Sequence, residues 1–517
     1  MGKGRDFISC RDVLWYLVFS GFAVNYILRI NLNLVIVGMV VPREKPVAAA
    51  QCALQGEPEF GRNSSGTSNT TSLLPPAPIL PKDTYEDRFT WNEYEQGLAL
   101  GAYYWLHWTT QLPGGLLARK YGTKLVFGFA NIFTAILGLL IPIATRYHLY
   151  ALVFIRVLQG LVAGVAWPSM HDMTSKWIPP DERSKFVSAY LGSSVGAAVT
   201  YPLCAACVHW FGWDSAFYVT SLVGIAWYCF WALLAFDSPQ QHPRISSSEK
   251  KYILERISGS LGEKDSKVPW KDILTSGPLW ITIASHWGGV WGFLTLMTQA
   301  PSYFNFVHGW NINSTGILSG LPHVLRMAFS YAFSILSDWL LRTKRMSRTN
   351  VRKLATFVCT GLQGILTVAL AMSGCHPNLA IIFMMAGTAV NGAVSAGTLA
   401  IFVDLSPNYA SVLLGFAGLV TVGAGFISPL VVGLLTNNNQ TIGQWRLVFV
   451  ISAVNLIVSC LIYIFFGSSD EQEWNNPSST GREPEELTKV KSKSEENADV
   501  EEKFPMIAHR PEKEVRR

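Results

Sequence analysis

Long apolar runs separated by short polar clusters set the pattern of this chain. A helix needs roughly 20 residues to cross a bilayer, and twelve runs reach that length. They lie near 13–41, 95–118, 125–145, 149–172, 185–210, 214–236, 277–305, 315–341, 354–374, 379–403, 410–435 and 446–467. Lysine and arginine collect in alternate gaps: before the first run (Lys3, Arg5, Arg11), after the second (Arg119, Lys120, Lys124), after the fourth (Lys176, Arg183, Lys185), between the sixth and seventh, and after the eighth (Arg342, Lys344, Arg345, Arg348, Arg352, Lys353). Basic loops stay on the cytoplasmic side, so both termini are predicted inside. The sequons at Asn63, Asn69, Asn313 and Asn439 fall in gaps 1–2, 7–8 and 11–12, which this topology places outside as expected glycosylation sites.

Composition points the same way: half of the 517 residues are hydrophobic and only 15% are charged, the balance of an integral membrane protein rather than a soluble domain. The net charge of +6 resides in the loop clusters, where topology accounts for it, so nucleic acid is not an expected partner. Eight cysteines are scattered and mostly lie within apolar runs, outlining neither a disulfide framework nor a metal site. Cys204 and Cys207 form a CxxC, but inside a span, where small residues pack helices. The first run lacks a small-residue cleavage site and reads as a retained helix.

The predicted organisation is a cytoplasmic N-terminus (1–12), a six-helix bundle (13–236) with an outer loop at 42–94, a cytoplasmic linker (237–276), a second six-helix bundle (277–467) and a disordered cytoplasmic tail (468–517). In the linker, "SSSEKKYILERISGSLGEKDSKV" reads as a surface helix. Similar basic turns follow the second span of each half, "GGLLARKYGTK" and "SILSDWLLRTKRMS". Such a weak repeat is the trace of two parallel bundles with a substrate site at their interface.

Four stretches carry a resemblance: "FTWNEYEQGLALGAYYWLHWTTQLPGGLLARKYGTK", "RVLQGLVAGVAWPSMHDMTSKWIPPDERSK", "SGLPHVLRMAFSYAFSILSDWL" and "DLSPNYASVLLG". They resemble the anion:cation symporters of the major facilitator superfamily, the group of sialin, the vesicular glutamate transporters and the type I sodium-phosphate cotransporters. The likeness runs from about Trp15 to Phe466. It implies an all-α, twelve-helix fold, alternating access and secondary transport of anions, organic or inorganic phosphate, driven by a proton, sodium or voltage gradient. No cofactor is expected beyond a co-transported proton or sodium ion, and the oligomeric state is left open, a monomer being compatible with the pattern.

Ionisable residues within the spans are the functional candidates. Arg156 sits about 10 Å inside its helix, and burying it there costs on the order of 3 kcal/mol or more. It therefore needs a partner, either a substrate anion or a structural carboxylate. Many relatives carry glutamates at the positions of Gln159 and Ala163, so no local carboxylate can neutralise Arg156, and proton coupling is in question. Arg29 matches a family arginine, and we expect Arg29 and Arg156 to hold the anion between them, helped by Gln159, Tyr103 and Tyr104; the alternative is an arginine holding backbone carbonyls. His107 lies one heptad beyond Leu100, where the vesicular glutamate branch has a histidine. On an α-helix both would share a face, and His107 is either a proton relay or a hydrogen-bonded cavity residue.

The remaining coupling or gating candidates are His171, Glu182, Arg183, Arg326 and Asp404, of which Glu182, Arg183 and Asp404 are expected in gate ion pairs near cytoplasmic helix ends. Some relatives have an arginine at the position of Gly289, and its absence argues against borrowing their specificity. Four GxxxG pairs (Gly97/Gly101, Gly160/Gly164, Gly192/Gly196, Gly288/Gly292) predict close helix approach. "GSSVG" at 192–196 mimics a nucleophile motif but lies within a span, so an enzyme is not expected. An uncoupled anion channel or a transporter-shaped sensor is the alternative to a carrier.

Overall fold

The computed structural model describes residues 9–41, 88–179, 186, 188–258, 268–437 and 439–475. The described residues are almost wholly helical, and an isolated bridge between Val40 and Phe89 is their one β feature. We number the twelve spans α1 to α12. In the first half these are α1 (Cys10–Met39), α2 (Glu93–Ala102 and Gln111–Tyr121), α3 (Thr123–Tyr147), α4 (Leu149–Ala163 and Ala166–Trp177), α5 (Gly192–Phe211) and α6 (Trp213–Leu234). In the second they are α7 (Gly277–His308), α8 (Ile312–Arg342), α9 (Arg348–Thr356 through a π segment to Gln363–Met372), α10 (Pro377–Val390 and Thr398–Leu405), α11 (Ala410–Thr421 and Gly423–Thr436) and α12 (Ile442–Phe466).

Local signals set the starts. Ser9 and Asp12 form a reciprocal capping box before α1, Asn92 and Glu95 do so before α2, and Asn311 and Thr441 cap α8 and α12. On α3, Leu125, Phe129, Phe133, Ile136, Leu140 and Ile143 recur at three- and four-residue steps and are all exposed. That helical stripe would be untenable in water and is suited to lipid tails.

The sequence predicted α2 as one helix over 95–118. Instead, Tyr103 to Thr110 leave the α-helix, with hydrogen bonds from Tyr104 N to Gly101 O, Trp105 N to Ala102 O and Thr109 N to Leu106 O. These i→i−3 bonds are the tighter 3₁₀ kind, so the heptad relation between Leu100 and His107 does not hold. The reason is lateral packing: a Cβ at Gly160 would land on the Tyr103 carbonyl oxygen, and one at Gly164 would meet the His107 carbonyl, so α4 presses against the backbone here. α4, α10 and α11 are also broken within their spans, as expected where irregular backbone is buried or lines a cavity.

The two halves approach most closely at their outer ends. A Cβ at Gly97 would sit 2.5 Å from the Pro429 carbonyl oxygen of α11, Gly320 of α8 faces the Ala198 carbonyl of α5, and the Tyr201 hydroxyl donates to the Met297 carbonyl oxygen at 2.5 Å. The GxxxG glycines of α5 likewise meet the α1 backbone at Phe19 and Ala23.

Two expectations need correction. Cys375, in the turn between α9 and α10, is disulfide-bonded, although cysteine spacing suggested no bridge; covalent pairing depends on spatial, not sequence, proximity. The tail was expected to be free from 468, yet Asn475 is buried and accepts from the Ser406 hydroxyl at 2.6 Å, while Gln472 N donates to the Leu405 carbonyl at 2.9 Å. Its first eight residues thus dock on the α10–α11 turn, and 476–517 lie outside the described residues. Within the linker, a helix at Ser247–Ser258 is tied to α1 by Glu249, which accepts from Arg11 Nε at 3.1 Å and Cys10 N at 3.2 Å.

Candidate substrate site between the halves

Arg156 is sealed, with 1% exposure. Its Nη2 donates to the Arg29 carbonyl oxygen at 2.7 Å, and its Nη1 donates to Gln159 Oε1 at 3.0 Å and the Leu28 carbonyl at 3.4 Å. Gln159 passes the link on by donating from Nε2 to the Thr134 carbonyl at 3.0 Å. The Arg156 guanidinium also lies 5.0 Å from the Tyr103 ring centroid. A neutral amide and two carbonyls of α1 therefore take the hydrogen bonds that a carboxylate or an anion was expected to take.

Arg29, one residue from that clamp, is held differently. Its guanidinium lies 4.7 Å from the centroid of Tyr104, 5.2 Å from Tyr26 and 5.5 Å from Tyr103. Its Nε donates to the Tyr104 hydroxyl at 3.3 Å, and among the described residues its two Nη groups make no hydrogen bond. At 8% exposure it is buried but not sealed. Aromatic faces compensate part of the charge, and four N–H bonds remain for a ligand. The Tyr103 hydroxyl is also buried without a hydrogen-bond partner.

His107 is buried against this cage, its ring 5.5 Å from that of Tyr103. Its Nδ1 lies 3.1 Å from the Gly160 carbonyl oxygen. A carbonyl only accepts, so Nδ1 carries a proton, and the tautomer follows from the contact. Arg326 of α8 lies on the other wall, beneath Phe293 of α7, with Asn391 of α10 and Ser194 of α5 as partners. None of Arg29, Arg156 and Arg326 pairs with a carboxylate among the described residues.

The other candidates lie away from this centre. Asp404 accepts from Arg352 at 2.6 and 3.4 Å; both belong to the second half, so this ion pair joins α9 to α10 rather than half to half. His171 is on the inner segment of α4, but its side chain is outside the described residues, as are Glu182, Arg183, Asn63 and Asn69 altogether. Asn439 is exposed and Asn313 is half-buried in the first turn of α8. Sequence reasoning missed Tyr26 and Asn391. Tyr26 stands one helical turn before Arg29, and Asn391 is a lone amide in an apolar run; both positions were visible signals.

The Major Facilitator Superfamily model matches residues 64–350. The chain is 38% identical to Vesicular glutamate transporter 1 of Xenopus tropicalis over 403 residues, 77% of this chain and 69% of the relative. It is 32% identical to Sialin of Homo sapiens over 471 residues, 90% of this chain and 91% of the relative. Among solved structures, a bacterial homologue of the human lysosomal transporter Spinster, inward-facing and occupied, superposes with a TM-score of 0.61 at 12% identity, covering 88% of this chain and 96% of that one. A D-xylose–proton symporter superposes with a TM-score of 0.58 at 13% identity, covering 88% and 98%. The fold and the site between two helical halves define an alternating-access membrane transporter. Within that class, the chain belongs to the anion:cation symporter family of the Major Facilitator Superfamily. It is a multi-pass membrane protein and not an enzyme.

Proposed function

We propose that the protein is a secondary transporter of small organic anions bearing a carboxylate, with Arg29 as the direct ligand of the negative group. The observation that carries this reading is the concentration of cations at the site, Arg29 and Arg156 buried and Arg326 half-buried, without a carboxylate partner among the described residues. An anion entering the cavity supplies the missing charge. The free Nη groups of Arg29 offer the planar fork that matches a carboxylate, and the unpartnered Tyr103 hydroxyl adds a donor. Three tyrosine rings suit the carbon body of an organic anion better than bare phosphate, whose whole surface demands hydrogen bonds. Several similar proteins carry the words vesicular and glutamate together in their names, which favours an amino-acid-sized cargo and a vesicle membrane.

Arg156 then serves as a clamp between α4 and α1, setting the position of Arg29 and adding to the positive field. The cycle is a rocking of the halves about the site, starting here with the outer ends packed together. The driving gradient is a proton, sodium or voltage gradient; no metal or organic cofactor is required.

The test is uptake of radiolabelled glutamate, sialic acid and inorganic phosphate into proteoliposomes of purified protein, with each gradient imposed in turn. Saturable uptake of an organic acid with counterflow supports the proposal. Uptake of phosphate alone would overturn the cargo class, and conductance without counterflow would make the protein a channel.

A further inference from the structure

Arg326 faces a different setting from the two arginines of the first half. Its guanidinium carbon lies 4.3 Å from the Phe293 ring centroid, Nε donates to Asn391 Oδ1 at 3.0 Å, and Nη1 donates to Ser194 Oγ at 3.2 Å, across the boundary between the halves. Among the described residues its Nη2 makes no hydrogen bond. The Asn391 orientation is fixed independently, because its Nδ2 donates to the Gly289 carbonyl at 3.2 Å and to Gln363 Oε1 at 2.9 Å. Its Oδ1 is thereby left to receive Arg326.

A structural tie between α8, α10 and α5 needs only neutral donors. A serine, glutamine or asparagine would bond Asn391 and Ser194 without placing a permanent charge in the bilayer, where charge is expensive. The charge, and the donor left over, are what a tie does not explain.

We propose that Arg326 is the second half's ligand for the transported anion, and that the anion displaces the Ser194 hydroxyl from Nη1 as the halves close on it. This rests on the anion-carrier reading above and deepens it. The cargo is then an anion with oxygen acceptors at two ends, one facing Arg29 and one facing Arg326, as in an acidic amino acid or a hydroxylated sugar acid. One molecule spanning both walls links its binding to the movement of the halves. The arrangement also places the second half's cation on α8, one hydrogen-bonding residue, Asn391, away from Gly289 of α7.

The test is counterflow in proteoliposomes, using whichever of labelled glutamate, sialic acid or phosphate the unaltered protein exchanges, with melting temperatures recorded alongside. Arg326→Gln is expected to raise KM by about tenfold or more, the usual scale for losing a charge-assisted hydrogen bond. Arg326→Lys, which keeps the charge, raises it less. Ser194→Ala, which removes only the resting partner, lowers KM or leaves it unchanged. A folded Arg326→Gln protein with unaltered KM overturns the assignment and leaves the anion carrier standing. If Arg326→Gln does not fold, the other two variants decide: an unmoved KM in Arg326→Lys, or a raised one in Ser194→Ala, overturns it. Absence of counterflow with all three anions in the folded, unaltered protein overturns both readings.

Discussion

The two walls of the cavity solve one problem with different chemistry. Each must hold a guanidinium at mid-membrane without a carboxylate among the described residues. The first wall surrounds Arg29 with the rings of Tyr26, Tyr103 and Tyr104; the second ties Arg326 into an amide network through Asn391, with one ring, Phe293, above it. A π face attracts a cation through its quadrupole and takes no N–H bond, whereas each amide or carbonyl oxygen consumes a donor. The aromatic wall therefore leaves Arg29 with both Nη groups free, and the amide wall leaves Arg326 only one. Arg156 is the extreme case: two carbonyls and a glutamine hold both its Nη groups. Charge count alone would have ranked the three equally; free Nη groups distinguish ligand from clamp, because the Nε of Arg156, although it also lacks a hydrogen-bond partner, is sealed in the interior.

Substitutions can break this comparison. The largest expected effect is at Arg29: Arg29→Gln should reduce kcat/KM for uptake by about 10- to 100-fold, the range for losing a charged hydrogen-bond donor, with little change in melting temperature. Arg156→Gln should show the opposite balance. It loses about 2 kcal/mol of stability by stripping Gln159 and the α1 carbonyls of their donor, read as an earlier thermal transition in detergent, while KM in the surviving folded protein shifts less than in Arg29→Gln. Equal melting temperatures for the two variants would undo the division into ligand and clamp.

Smaller effects sharpen the picture. Gly97→Ala places a methyl against the Pro429 carbonyl oxygen and should cost the outer-closed state about 1 kcal/mol; the maximal counterflow rate falls and KM stays. His107→Gln keeps a donor for the Gly160 carbonyl, so uptake and its response to a proton gradient should persist; loss of that response alone would make His107 the proton carrier. Asn439→Gln tests the glycosylation expected at this exposed sequon: a change in electrophoretic mobility with transport untouched is the expected outcome, and unchanged mobility would show that the sequon carries no glycan.

Most of the architecture was legible because the bilayer judges each segment separately. Apolar run length, loop charge and sequon position are local properties, and they outlined α1 to α12 before any contact was known. The mid-span irregularities were not legible in this way. Tyr103 to Thr110 look like continuous helix, and only the glycine face of α4 pressing on that backbone explains their tighter winding. The docked residues around Asn475 were missed for the same reason, since they depend on Ser406, 69 positions away in the chain.

The candidate site divides along the same line. Sequence alone marked Arg29, Arg156 and Arg326 as charges that a membrane helix does not carry without cause, because the cost of burial belongs to the residue itself. It also showed that the α4 positions of Gln159 and Ala163 lack carboxylates. Only the tertiary structure decided how each charge is met: Arg29 by a tyrosine 75 positions away and Arg156 by a carbonyl 128 positions away. Hydrogen-bond donors are spent in space rather than along the chain, so the difference between a cation that holds the fold and one that waits for an anion arises only when the helices pack.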